Sequence, residues 1–170
     1  MFRVDFGKAY DSVDLNYLDS VMSNMNFPTL CRKWISECVG MATMSILVNG
    51  CPTYEFKMER GLRQGNPISP FLFLLVVEGF NILMKAMVEA QLFKGYGVGR
   101  VGEVRLTHLQ FVDDTLILSE KSWLNVRSMH AVFLLFDEIS ELKVNFRKSM
   151  LTGVNVNDSW LVEAALVMNC

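Results

Sequence analysis

A chain of 170 residues can build one domain with a real core. Hydrophobic residues make up 51%, which excludes a disordered chain. A net charge of −2 excludes a domain that grips phosphate backbones by bulk positive charge, so any nucleic-acid reading has to rest on local residues.

Along the chain, Phe2 to Phe6 alternates apolar and polar positions and predicts a strand. Asp14 suits the cap of a helix running to about Asn24, with Leu15, Leu18, Val21, Met22 and Met25 on one face. Phe27-Pro28 breaks it, and a second helix begins at Thr29 with Leu30, Trp34, Ile35 and Cys38 at helical spacing. Ser45 to Val48 and Thr53 to Met58 predict two strands joined through an Asn49-Gly50 turn. Arg60 to Pro67, with two glycines and a proline, cannot be regular structure. Ser69-Pro70 opens a long helix reaching about Leu92, the serine read as its cap. Lys94 to Gly102 reads as a glycine-rich loop. Two apolar strands, Val104 to Phe111 and Thr115 to Leu118, then flank Asp113-Asp114 as a hairpin. A helix from Ser122 to Leu142 and short strands near Val144 and Leu151 follow. This order predicts an α+β fold in which one antiparallel sheet carries helices on one face.

The four cysteines, Cys31, Cys38, Cys51 and Cys170, lack the spacing of a zinc site, and His108 and His130 lie far from them. They read as free thiols in a reducing compartment, with Cys31 and Cys38 packed inside a helix. No run reaches the ~20 apolar residues of a membrane span; Phe71 to Val77 reads as the buried start of a helix that Glu78-Gly79 interrupts. Met1 stands four residues before Asp5, which leaves no room for a targeting peptide and predicts an intracellular protein, nuclear or cytoplasmic. Trp34 and Trp123 read as helix-packing residues, and His108 has no partner that supports a base role.

Three carboxylates stand in apolar frames: Asp5 between Val4 and Phe6, and Asp113-Asp114 between Val112 and Thr115. Adjacent carboxylates repel each other and are costly beside a core unless a cation neutralises them. Carboxylate oxygens are hard ligands suited to Mg²⁺. Three converging carboxylates could hold two such ions ~3.5–4 Å apart for in-line phosphoryl transfer. The competing reading of Asp113-Asp114 alone is an ordinary solvated turn.

The motifs carry a family resemblance. Asp5-Phe6-Gly7-Lys8-Ala9-Tyr10-Asp11-Ser12-Val13 resembles reverse transcriptase motif A, and Arg60 to Pro70 ("RGLRQGNPISP") resembles motif B. Phe111-Val112-Asp113-Asp114 resembles motif C, and Glu141 to Ser149 ("ELKVNFRKS") resembles motif D. All four stand in the family's order, and "SILVNGCPTYEF" and "HLQFVDDTLI" are similar to LINE-type, non-LTR retrotransposon enzymes, especially those of plants.

The resemblance implies a polymerase palm with a ferredoxin-like core, formed by residues 1–170 as a single domain without fingers or thumb. It implies RNA-directed DNA polymerase activity with an RNA template, a DNA primer, deoxynucleotides and two Mg²⁺ ions, and no membrane. By the same resemblance Asp5, Asp113 and Asp114 would hold the metals, assisted by the Phe6 carbonyl. Tyr10 would stack under the incoming sugar and exclude a ribose 2′-hydroxyl, where similar RNA-copying RNA polymerases carry an aspartate. Arg63, Gln64 and Gly65 would line the nucleotide pocket, and Lys148 would protonate the pyrophosphate leaving group, with Lys143 and Arg147 as surface charges. Asn66 stands where this subgroup usually has aspartate, and Val112 where it usually has alanine; neither change removes a metal ligand. Without fingers and thumb, weak nucleic-acid binding is expected. Two alternatives remain at this point: an inert retroelement remnant, and an unrelated two-metal nuclease that would leave motif B and Tyr10 unexplained.

Overall fold

The computed structural model describes residues 1–41, 43–57, 60–99 and 104–170, with Met44 by its backbone alone. In chain order the elements are β1 (Phe2–Val4), α1 (Leu15–Asn24), α2 (Thr29–Gly40), β2 (Thr43–Met44), β3 (Leu47–Val48), β4 (Cys51–Pro52), β5 (Phe56–Lys57) and α3 (Ser69–Glu89). There follow β6 (Tyr96–Val98), β7 (Val104–Leu106), β8 (His108–Phe111), β9 (Asp114–Ile117), α4 (Trp123–Ser140), β10 (Met150–Leu151) and α5 (Asp158–Met168).

The central sheet has the order β10-β1-β9-β8, with every neighbouring pair antiparallel. Taken with α3 and α4, its strands form a split β-α-β-β-α-β arrangement, the ferredoxin-like core of a palm. Alternation along the strands divides the sheet into two faces. Phe2, Val4, Thr115 and Ile117 point into the core, whereas Arg3 and Asp114 are exposed on the other face. The buried face packs on the helices through rings: Phe2 lies 5.7 Å from Phe133 of α4, and Phe6 lies 6.4 Å from Phe73 of α3. Phe73, Phe80 and Phe136 are fully buried, and each such ring stabilises the fold by ~1.5–3 kcal/mol. Helices α3 and α4 thus pack on the face that carries Phe2, and among the described residues Arg3 and Asp114 are exposed on the opposite, open face.

Local sequence explains the boundaries. Asp14 caps α1 by accepting from the Tyr17 amide at 2.7 Å, and Ser122 caps α4 by accepting from the Leu124 amide at 3.2 Å. At α3 the cap position is Ile68, and Ser69 lies inside the helix. The polar side chains that suggested a serine cap tie down the preceding loop instead. Ser69 Oγ donates to the Arg63 carbonyl at 2.7 Å, and Asn66 Oδ1 accepts from the Ile68 amide at 3.2 Å. Asn66 thus shapes the turn that leads into α3.

Several expectations need correction. The expected loop after Lys94 contains β6, which pairs with β7; Gly97 in its middle hid the strand. Residues 100–102 of that loop, and Met58 at the end of the predicted returning strand, lie outside the described residues. The predicted hairpin around Asn49-Gly50 divides into two short ladders, β3 with β4 and β2 with β5. Helix α5 was not foreseen. Cys38 is exposed and Cys31 only half-buried, and Trp34 is 60% exposed, because α2 sends only Val39 into the core. Trp123 does pack, 5.1 Å from Trp160 of α5.

Helix α3, with mean hydropathy 1.9, is long and apolar enough to cross a membrane, contrary to expectation, because Glu78 and Gly79 do not end its apolar run. One face of α3, including Leu72, Phe73, Val76, Phe80 and Met84, is buried in the core formed with α1 and α4.

Candidate active site

The site is assembled where β1 ends and the β8–β9 hairpin turns. Val4 pairs with Thr115, so the same register carried one residue further sets Asp5 opposite Asp114. Thr115 points into the core, so Asp114 faces the open side of the sheet, as does Asp5 by the same alternation. The backbone of Asp5 is held on its other edge: its amide donates to Ser149 Oγ at 3.0 Å, and its carbonyl accepts from the Asn145 amide at 2.7 Å. The segment resembling motif D therefore braces the first aspartate.

Phe111 pairs with Asp114, which leaves Val112 and Asp113 as the two-residue turn. Val112 adopts φ +52°. A β-branched residue in this left-handed region is an outlier, with a cost on the order of 1–3 kcal/mol.

Asp113 and Tyr10 meet in a pocket of about 570 Å³ that Gln64, Gly65, Asn66 and Pro67 also line. Burial, and then the charge of Asp113, push the Tyr10 hydroxyl above its ordinary range. The Tyr10 ring is backed by Phe73 at 5.2 Å. The loop bearing Gln64 is fixed to the segment bearing Tyr10 by two backbone bonds: the Gly61 amide donates to the Val13 carbonyl at 2.8 Å, and the Leu62 amide to the Tyr10 carbonyl at 2.7 Å. Gly65 has φ +83°, which favours glycine, and a β-carbon there would meet nothing within 4 Å.

A second cleft of about 1050 Å³ adjoins Asp5 and is lined by Lys8, Arg60, Lys143, Asn145 and Lys148 among others. Arg60 is paired with Glu141 across it. Lys8, Arg60 and Lys143 were not singled out as site residues from the sequence. The available signal was their basic charge inside the segments resembling motifs A, B and D.

The structure thus groups Tyr10, Gln64, Gly65 and Asp113 in one pocket, and Asp5, Phe6 and Lys148 in the other. Phe6 has its ring in the core, so only its backbone could serve a ligand. Arg63 is exposed outside both pockets and contributes its carbonyl to the Ser69 hydroxyl. Asp114 stands exposed at the start of β9, on the open face.

Among the described residues, the carboxylates of Asp5, Asp113 and Asp114 have no hydrogen-bond or ion-pair partner in the protein. Hard oxygen donors left without protein cations suit a hard divalent ion. Among the described residues, no three His, Cys, Asp or Glu side chains converge closely enough to grip a metal together. The fit is therefore one of chemistry and placement, not of a closed cage.

His108 is half-buried, with Nδ1 2.9 Å from Thr107 Oγ1 and its ring edge-on to Phe80. Burial lowers its pKa, the charge of Glu78 works against this, and Lys85 adds to the lowering. It lines neither pocket.

The family profile described as reverse transcriptase (RNA-dependent DNA polymerase) matches residues 1–157. A retrovirus-related Pol polyprotein from a type-1 retrotransposable element R2 of Popillia japonica is 27% identical over 152 residues, covering 89% of this chain and 20% of the polyprotein. An uncharacterized mitochondrial protein of Arabidopsis thaliana is 39% identical over 69 residues, 41% of this chain and 56% of that protein. The chain thus spans about a fifth of the R2 polyprotein and little more than half of the plant relative. Among solved structures, apo telomerase from Candida tropicalis superposes with a TM-score of 0.68 at 13% identity, covering 92% of this chain and 31% of that one. Telomerase from Candida albicans in complex with a telomeric RNA fragment gives 0.66 at 12% identity, covering 91% of this chain and 28% of that one. These last two are likenesses of fold. With that profile matched across residues 1–157, this chain belongs to the reverse transcriptase family.

Proposed function

We propose that residues 1–170 form one palm domain that adds deoxynucleotides to a DNA primer 3′-hydroxyl, copying an RNA template and releasing pyrophosphate. The observation that supports this reading is the strand register pairing Val4 with Thr115, next to Asp5 and Asp114 respectively, with Asp113 lining the pocket of Tyr10 and Gln64. Asp5, Asp113 and Asp114 would hold two Mg²⁺ ions, with the Phe6 carbonyl assisting. Bound there, the ions would activate the primer hydroxyl and neutralise charge on the transferring phosphoryl group.

The chain's own residues would do the rest. Tyr10, stiffened by Phe73, would pack under the sugar and leave no room for a 2′-hydroxyl. Gln64 and Gly65 would let base and template approach closely, with Arg63 at the pocket's outer edge. Lys148, in the cleft beside Asp5, would give its proton to the pyrophosphate as it leaves, a role that typically contributes ~10²–10⁴-fold.

The test is primer extension on an RNA template with Mg²⁺ and deoxynucleotides, using Asp113→Ala as the control. Extension by the wild type and none by the variant supports the reading. Extension that survives the substitution contradicts the metal assignment. No extension at all, with Mg²⁺ binding that depends on Asp113, identifies a palm that folds and holds cations without polymerising.

A further inference from the structure

The turn that carries Asp113 runs against the preference of its own residues. Only Val112 and Asp113 separate β8 from β9, and Val112 is held at φ +52°, where glycine or asparagine usually stands. One side chain hydrogen-bonds this turn among the described residues. Gln110 Nε2 donates to the Val112 carbonyl oxygen, while Gln110 Oε1 accepts from Thr115 Oγ1 at 2.6 Å. Gln110 and Thr115 are cross-strand partners, and Thr115 is 1% exposed. The amide is thus anchored at one end by a buried hydroxyl and grips the turn with the other. The carbonyl it holds belongs to the planar peptide joining Val112 to Asp113, so fixing that oxygen fixes the plane from which the Asp113 backbone departs.

We propose that Gln110 is a positioning residue for the carboxylate pair. It keeps the Val112–Asp113 peptide in its left-handed turn, so that Asp113 faces Tyr10 while Asp114 stays in register with Asp5. This rests on the reading of Asp113 and Asp114 as cation-holding groups. Gln110 would not touch the cation or the nucleotide: strand alternation turns it, with Thr115, away from the face that Asp114 occupies. Its amide is not replaceable by a carboxylate. Gln110→Glu keeps an acceptor for Thr115 but sets an oxygen against the Val112 carbonyl, whereas Gln110→Leu loses both bonds. Thr115→Val removes the anchor alone. Val112→Gly removes the strain that makes a clamp necessary.

The experiment uses the 170-residue chain and two readouts. One is the amide-to-α-proton coupling of Val112 by NMR, which reports its φ. The other is Mn²⁺ affinity, followed by water proton relaxation. Gln110→Leu and Gln110→Glu are expected to move the Val112 coupling and to weaken Mn²⁺ binding by about tenfold or more, the usual loss when a supporting shell is removed. Adding Val112→Gly to Gln110→Leu is expected to recover most of the affinity. A merely structural role for Gln110 would make that double variant worse, because glycine loosens the strand end further. A Val112 coupling unchanged in Gln110→Leu, or Mn²⁺ affinity within about twofold of wild type, overturns the proposal. Should the wild type bind no Mn²⁺, the metal reading fails separately, and the coupling alone decides the clamp. Should Gln110→Leu fail to fold, Thr115→Val and Gln110→Glu carry the same comparison.

Discussion

Gly61 lies against the backbone of Asp11: a β-carbon on Gly61 would stand 2.9 Å from the Asp11 carbonyl oxygen and 3.0 Å from its α-carbon. Gly61 also has φ +87°. This close approach lets the loop of Gln64 and Gly65 bond to the segment of Tyr10, so one glycine joins the two halves of the pocket they line.

Gly61→Ala therefore meets both strain and a backbone clash that no rotamer relieves. The expected cost is ~1–3 kcal/mol, measured as a lower urea midpoint at unchanged slope. Gly65→Ala is expected to cost less, because a β-carbon there meets open space and only the positive φ opposes it.

The Tyr17 hydroxyl is buried and, among the described residues, finds no hydrogen-bond partner. Its ring packs edge-on against Phe136 at 6.5 Å. Tyr17→Phe keeps the ring and removes the orphaned group, so it is expected to raise stability by about 1 kcal/mol, read by thermal melting. Burial pushes the Tyr17 pKa from 10.0 up to about 12. The folded state thus prefers the neutral phenol. That contribution is complete below pH 10 and disappears as pH rises through about 12, and the variant is expected to lose less stability across this window.

His108 behaves in the opposite sense. Burial depresses its pKa below the ordinary 6.5, so the folded state prefers the neutral imidazole. The stability this contributes is present above 6.5 and is lost as pH falls through the depressed value. Denaturant midpoints taken from about pH 7 to pH 5 are expected to fall more in the wild type than in His108→Gln. Equal slopes in the two proteins would contradict the assignment.

Much of this architecture could be read in the sequence, and the residues show why. Asp14 announced α1 because it is a polar cap before an apolar stripe. The β8–β9 hairpin was visible because apolar residues flank a charged pair. Helix α5 was not visible: Asn157 makes no side-chain cap bond, and Val162, Leu166 and Val167 are exposed while Ala164 and Met168 are buried, so apolar residues surround the helix without marking a face. Helix α2 misled in the reverse direction, since Leu30, Trp34 and Cys38 have core-like spacing and yet lie on the surface.

Within the candidate site, the apolar frames singled out the three aspartates, and the resemblance to motif A singled out Tyr10. The split into two pockets could not be read, because it depends on strand register and on the contact between Gly61 and Asp11. Nor could the role of Gln110, whose partners Val112 and Thr115 come together only when the hairpin turns. Arg63 was named for its guanidinium, and the structure adds that its backbone carbonyl ties the loop to Ser69.

The central claim is that Asp5, Asp113 and Asp114 together hold divalent cations, and calorimetric titration of the chain with Mg²⁺ tests it most directly. The account predicts saturable binding in the wild type that Asp5→Asn, Asp113→Asn and Asp114→Asn each weaken by about tenfold or more. Binding of equal affinity in a variant carrying all three substitutions would contradict it.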